Sequence, residues 1–269
     1  MNRLNRLGRR AWVFVSSKQF FIFILTLAAL QGIWYAVSFT PWVNDESKHF
    51  RTTQIFTEQL SPYVSDQPRE WDDAGQVIRG GSYLFYYLYS WPLRAVENIT
   101  DDTRLQLIML RLSMIVLFIA ALVIYRRALL LVKGLSPGLV HIALGVFVLT
   151  PAAGLLAGMY NYDNLALLLF AVAMYCSLRI VTQPKPRADL LLALLITGAF
   201  MVVIKWSSVA LMMPLILSVI GFEVYRHRKK YGSRLAASFG NLRRVWQVTF
   251  VVGLLVGTAL VVERPIQIY

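Results

Sequence analysis

Seven apolar stretches, each 16 to 21 residues long, recur along this chain at 20–39, 105–125, 139–158, 163–181, 189–204, 207–222 and 246–262. A bilayer core about 30 Å thick takes about 20 residues of helix, so the pattern predicts membrane spans. In hydrocarbon every backbone N–H and C=O must find its partner within the segment, which makes each span a helix. The fifth and sixth stretches are short and form one block, 189–222, interrupted only by Lys205-Trp206-Ser207-Ser208. That length is too great for one span and just enough for two, so a tight hairpin is expected. The predicted fold class is an all-α, polytopic membrane helical bundle of about seven transmembrane helices, forming a single transmembrane domain over 1–269. Composition agrees: 57% hydrophobic and 15% charged side chains cannot coat a water-soluble globule of this size, which excludes a soluble enzyme and a disordered chain. The single cysteine, Cys176, excludes an internal disulfide and a cysteine-based zinc site.

Lysine and arginine set the expected orientation. With residues 1–19 cytoplasmic, 18 of the 27 basic residues face inward, ahead of the first span and after the second, fourth and sixth. The net charge of +13 is thereby assigned to topology, and nucleic acid is not expected as a partner. The first apolar run is long and has no small-residue cleavage pattern after it, so it is expected to remain as an anchor.

The long loop 40–104 then lies outside and carries ten of the 14 acidic residues. Residues 47–60 predict a helix with Phe50, Ile55, Phe56 and Leu60 as a ragged apolar face, and 61–81 predict an irregular segment from their prolines and glycines. Residues 82–96 (SYLFYYLYSWPLRAV) are aromatic, about 15 long and contain Pro92, which predicts a helix along the outer interface rather than a crossing. The other four acids, Asp163, Asp189, Glu223 and Glu263, fall at span ends. No acid is expected at mid-membrane, which argues against a proton or ion relay.

The first span exits into Thr40-Pro41-Trp42-Val43-Asn44-Asp45-Glu46-Ser47-Lys48-His49-Phe50. This resembles the opening of the GT-C class of integral membrane glycosyltransferases, including protein O-mannosyltransferases and aminoarabinose transferases, in which an Asp-Glu pair follows the first helix. Further along, Tyr83-Leu84-Phe85-Tyr86-Tyr87, Asn161-Tyr162-Asp163 and Lys205-Trp206-Ser207-Ser208 resemble, in order, that class's aromatic segment, its Asn-x-Asp span start and its lysine-serine break. Two departures stand out. Arg79-Gly80-Gly81-Ser82 occupies the place where relatives often carry His-Pro-Pro, and the chain ends where such enzymes generally continue, so it looks like the N-terminal catalytic portion of the fold or a short relative.

The resemblance implies transfer of a sugar from a polyprenyl-phosphate donor to an outer-surface acceptor, which is a glycan, lipid or protein, at the membrane edge. Asp45 would be the general base, with Glu46 sharing the role, and direct attack would invert the anomeric centre. Lys205 would meet the phosphate, with Arg79 and Arg51 as weaker candidates, either of which could equally be solvated. His49 and Asp163 complete the expected substrate-binding set. Each has a plainer alternative: His49 at the surface, Asp163 capping a helix, Lys205 snorkelling, Asp45 and Glu46 as solvated acids. No cofactor is required, and a divalent metal is compatible with the acids, although one histidine and two adjacent acids are not a ligand set. Arg111, inside the second span, is expected to snorkel outward or pair locally. The expected location is a bacterial inner (plasma) membrane, N-terminus cytoplasmic. The rivals are a non-catalytic membrane subunit or lipid-carrier binding protein of envelope glycan assembly, and a small-solute transporter.

Overall fold

The computed structural model describes residues 3–39, 45–58, 83–183 and 187–231. The expected irregular segment 61–81, with Arg79, and the seventh apolar stretch 246–262 lie outside them. Among the described residues the chain is helical, without strands: α1 (Arg3–Val15), α2 (Lys18–Ser38), α3 (Glu46–Thr57), α4 (Leu84–Glu97), α5 (Thr103–Leu129), α6 (Pro137–Val148), α7 (Pro151–Gly158), α8 (Asp163–Thr182), α9 (Ala188–Ile204), a 3-10 turn (Trp206–Ser208) and α10 (Val209–Tyr231). The chain divides into two compact units, Met1–Val219 and Ile220–Tyr269. The described part of the second continues α10 and holds an Arg226–Glu223 ion pair.

Among the described residues four helices are long and apolar enough to cross a membrane: α2, α5, α8 and the run Trp206–Arg226. A fifth candidate is the pair α6–α7, bent by 73°. The sequence led us to expect one continuous span over 139–158, and Pro151 accounts for the break. Its ring carries no N–H and collides with the carbonyl of the preceding turn, so helix cannot run through. Thr150 caps the new helix instead, accepting from the Ala153 N–H at 3.3 Å. At 17 residues α9 is shorter than a typical span. It pairs with α10 as an antiparallel hairpin: Ser208 Oγ donates to the Met201 carbonyl at 3.0 Å, and Gly198 faces Met212 and Ile216. The described residues are thus all-helical with four to five candidate spans, compatible with an integral membrane protein.

Close helix approach sets the α2–α7 contact. A Cβ on Gly158 would lie 2.5 Å from Tyr35 Cβ and 2.7 Å from the Gly32 carbonyl oxygen, a separation only glycine permits. Small residues at such seams let apolar helices gain packing where no water is expelled.

The helices alternate in direction, which sorts charge between two ends. One end gathers the start of α2, the end of α5 and the start of α6, where Arg126 stacks 4.8 Å over the Phe21 ring. The other gathers the end of α2 with α3, α4, the α7–α8 connection and the end of α9. At about 1.5 Å per residue the 27 residues of α5 reach roughly 40 Å, about 10 Å more than the hydrocarbon needs. α3 and α4 pack with that surplus length of α5, and their shared core is Phe50, Phe56, Phe85, Tyr86, Leu93, Leu107, Leu110 and Tyr160. The expected interfacial helix is therefore half-embedded in protein. Phe85, Tyr86 and Leu93 are enclosed, while Leu88 and Trp91 stay exposed.

Candidate functional site

The site forms where the loop helix α3 begins. Glu46 lies in its first turn and is buried, although it is one residue past the mostly exposed Asp45. Its burial is compensated by Arg111, which reaches over from α5. Arg111 Nε donates to Glu46 Oε1 at 2.8 Å and Nη2 donates to Oε2 at 2.5 Å, a two-point pairing of planar groups. The Tyr160 backbone N–H also donates to Oε1 at 2.8 Å. Arg111 Nη1 meanwhile donates to the carbonyls of Ala36 at 2.8 Å and Phe39 at 3.2 Å, oxygens that the last turn of α2 leaves without an intrahelical donor. One guanidinium therefore joins α2, α3 and α5, and Glu46 extends the junction to the α7–α8 connection. The expectation that Arg111 snorkels or pairs locally is overturned: its side chain is 2% exposed and its partner is 65 residues away.

Arg94 of α4 repeats the device on α3, donating to the carbonyls of Phe56 at 2.7 Å and Thr57 at 2.8 Å. Two helix ends at this end of the bundle are thus capped by arginines from other helices.

His49 follows Glu46 on α3 and is buried, not at the surface. Its Nδ1 shares a 2.7 Å hydrogen bond with the Tyr86 hydroxyl, its ring stacks on Tyr86, and Tyr162 meets it edge-on at 4.9 Å between centroids. Burial holds the imidazole below its ordinary pKa of 6.5, against the opposing pull of Asp163, Asp45 and Glu46. Burial likewise raises the Tyr86 phenol well above its usual range, so its proton stays on and the pair is neutral. On the next turn the Thr53 hydroxyl donates to the His49 carbonyl at 2.9 Å, which leaves Thr53 Oγ1 to accept from the Tyr160 hydroxyl at 2.6 Å.

Asp163 and Lys205 enter from α8 and the end of α9. They form an ion pair with side chains 40% and 34% exposed, and the Lys205 ammonium sits 5.2 Å from the centroid of the Tyr162 ring. Capping at this helix start falls to Asn161, whose Oδ1 accepts from the Asp163 N–H at 2.9 Å. Asp163 is therefore free of the capping role and directed to Lys205. Asp45 bridges Lys48 at 3.4 Å and keeps 71% of its side chain exposed.

Of the residues singled out in the sequence, Asp45 and Glu46 begin the helix that carries His49, and Tyr162 touches both His49 and the Lys205 that pairs with Asp163, so five candidates from three parts of the chain share one neighbourhood. Arg51 is exposed on α3. Arg79 lies outside the described residues. Among the described residues no three of His, Cys, Asp and Glu are grouped to hold a metal ion. Sequence reasoning gave no site role to Tyr86, Tyr160 or Thr53, and it had Arg111 snorkelling or pairing locally and not reaching Glu46. Only Arg111 carried a signal, since a charge within a span demands a buried partner and the acids of the adjoining loop were the nearest supply.

No protein-family model, curated protein or solved structure matches this chain. Its residues alone carry the functional reading.

Proposed function

We propose that the chain is a membrane glycosyltransferase that moves a sugar from a polyprenyl-phosphate donor to an acceptor on the membrane face opposite its N-terminus. The observation that carries this reading is the gathering of Asp45, Glu46 and His49 on the first turns of α3 with Asp163 and Lys205 across the Tyr162 ring, at one end of the bundle. Two adjacent carboxylates are given different tasks there. Glu46 is consumed by Arg111 and fixes the start of α3, which leaves the exposed Asp45 as the carboxylate able to meet an acceptor.

In the reaction, Asp45 takes the proton of the acceptor hydroxyl as its oxygen attacks the anomeric carbon. The bond from that carbon to the phosphate oxygen breaks, the electron pair leaves with the polyprenyl phosphate, and the anomeric configuration inverts. Lys205 offsets the charge on the departing phosphate: its ammonium has three donors, and Asp163 engages one face of it. A lipid-borne donor suits a site whose framework reaches just beyond the hydrocarbon, where α5 overshoots the span.

The test is sugar transfer by the purified full chain in liposomes containing radiolabelled polyprenyl-phosphate sugars. Transfer should disappear in Asp45→Asn and fall in Lys205→Met, both with melting within about 2 °C of wild type. Full transfer by Asp45→Asn, or labelling of Asp45→Cys from the N-terminal side of the membrane, would refute the assignment.

A further inference from the structure

α1 lies at the end of the bundle away from the carboxylate site, and the proposed reaction makes no use of it. Its 13 residues reach only about 20 Å, too short to cross a bilayer. Its C-terminal end is fixed to the bundle all the same. A Cβ on Gly138 would lie 3.0 Å from the Trp12 ring, so that ring rests directly on the first turn of α6. The Val15 carbonyl is 2.7 Å from His141 Nδ1, while His141 Nε2 accepts from Arg126 Nε at 2.8 Å, so the ring proton resides on Nδ1 and is donated to Val15. Ser17 then takes an extended conformation and caps α2 by accepting from the Phe20 N–H, which separates the two helices.

What α1 presents away from these contacts is a mixture of cations and apolar groups. Arg9, Arg10, Val13 and Phe14 are exposed, and Val13 and Phe14 keep 64% and 56% of their surface. Helical register puts positions 4, 7, 11 and 14, which are Leu, Leu, Ala and Phe, on one stripe. The arginine positions 3, 6 and 10 form the stripe beside it, and Trp12 and Val15 flank the apolar stripe on the bundle side. An apolar stripe edged by arginines and docked beside the mouths of two spans suits the boundary between headgroups and acyl chains. The cations narrow the occupant to a negatively charged headgroup.

We propose that α1 lies in the plane of the leaflet on its own side of the membrane and binds the phosphate headgroups of anionic phospholipids. Each arginine held near an anionic surface strengthens the attraction several-fold, so three in a row should give at least about a tenfold preference over zwitterionic lipid. The full chain in mild detergent is titrated with phosphatidylglycerol and separately with phosphatidylcholine, and bound lipids are counted by native mass spectrometry. Wild type should prefer phosphatidylglycerol by that factor and lose much of the preference when ammonium acetate is raised from about 0.1 to about 0.5 M. The triple variant Arg3→Gln, Arg6→Gln, Arg10→Gln should bind the two lipids within about twofold of each other. The pair Arg127→Gln, Lys133→Gln, which removes charge elsewhere at the same end, should keep most of the preference. Retention of the preference by the triple variant, equal loss in the control pair, or a salt-insensitive preference in wild type would each overturn the proposal.

Discussion

Replacing Arg111 with methionine tests how the loop helices are held to the spans. In Arg111→Met, Glu46 stays enclosed and loses both of its guanidinium contacts, while the carbonyls of Ala36 and Phe39 lose a donor. A buried charge stripped of its counter-charge costs about 3–5 kcal/mol. For a chain of this size each kcal/mol moves the melting temperature by roughly 2–4 °C, so a fall of roughly 6 to 20 °C is expected in detergent. Glu46→Gln should lose less, since an amide oxygen can still accept from the Tyr160 N–H, although the guanidinium is left without its counter-ion. Combining Arg111→Met with Glu46→Gln removes both charges and should recover much of the loss, giving a coupling of at least about 2 kcal/mol. Thermal unfolding of the four proteins, followed by circular dichroism, completes the cycle. Single variants that melt within about 2 °C of wild type, or a double variant that falls by the sum of the singles, would show that the clamp does not hold the loop.

Asp45→Asn should melt within about 1 °C of wild type, because its bridge to Lys48 is exposed and such pairs contribute little; a large loss on the same thermal scan would make Asp45 structural. Gly158→Ala should destabilise by about 1–3 kcal/mol as its Cβ forces α7 off the Gly32 backbone, whereas Gly8→Ala, in open space, should not, and equal melting of the two variants would contradict the close seam. The depressed pKa of His49 gives a pH dependence with a fixed sign. Below the unfolded value of about 6.5 the unfolded chain binds the proton first, so stability should fall as pH drops from 6.5 and level off beneath the folded pKa, and His49→Gln should flatten that slope in melting measured from pH 7.5 to 5. Lys205→Met should shift melting by no more than about 2 °C, since its pair with Asp163 is one-third exposed, and a greater loss would assign it to the framework.

Long apolar runs made the helices legible, because a 20-residue stretch without charge has few alternatives in hydrocarbon. The hairpin over 189–222 could be read from length alone. The helix from Glu46 and the aromatic helix from Leu84 were visible in composition, since Phe50, Ile55 and Phe56 gave a ragged apolar face and the Tyr-rich segment is too short to cross. The break at Thr150-Pro151 was written in the sequence as well, but apolar length outweighed it, and the 73° bend shows that the proline decides locally. The site was legible as residue types and not as roles. Asp45 and Glu46 are chemically near-equal neighbours, and only the arrival of Arg111 from 65 residues away separates the buried one from the exposed one. The enclosure of His49 was not legible, because nothing local reveals that Tyr86 and Tyr162 close over it.

The Arg111 clamp also imposes an order on biogenesis. Glu46 leaves the ribosome 65 residues ahead of the arginine that neutralises it, an interval of roughly 3 to 13 s at 5–20 residues per second. Throughout that interval the first span has no donor from Arg111 for its terminal carbonyls, and α3 has no anchor for its leading acid. Tyr160, the remaining contributor, emerges later still, after another pair of apolar segments. α3 therefore reaches its final position only once the helices that follow it are in place, so a chain arrested before Arg111 would present Glu46 unsecured to quality-control proteases.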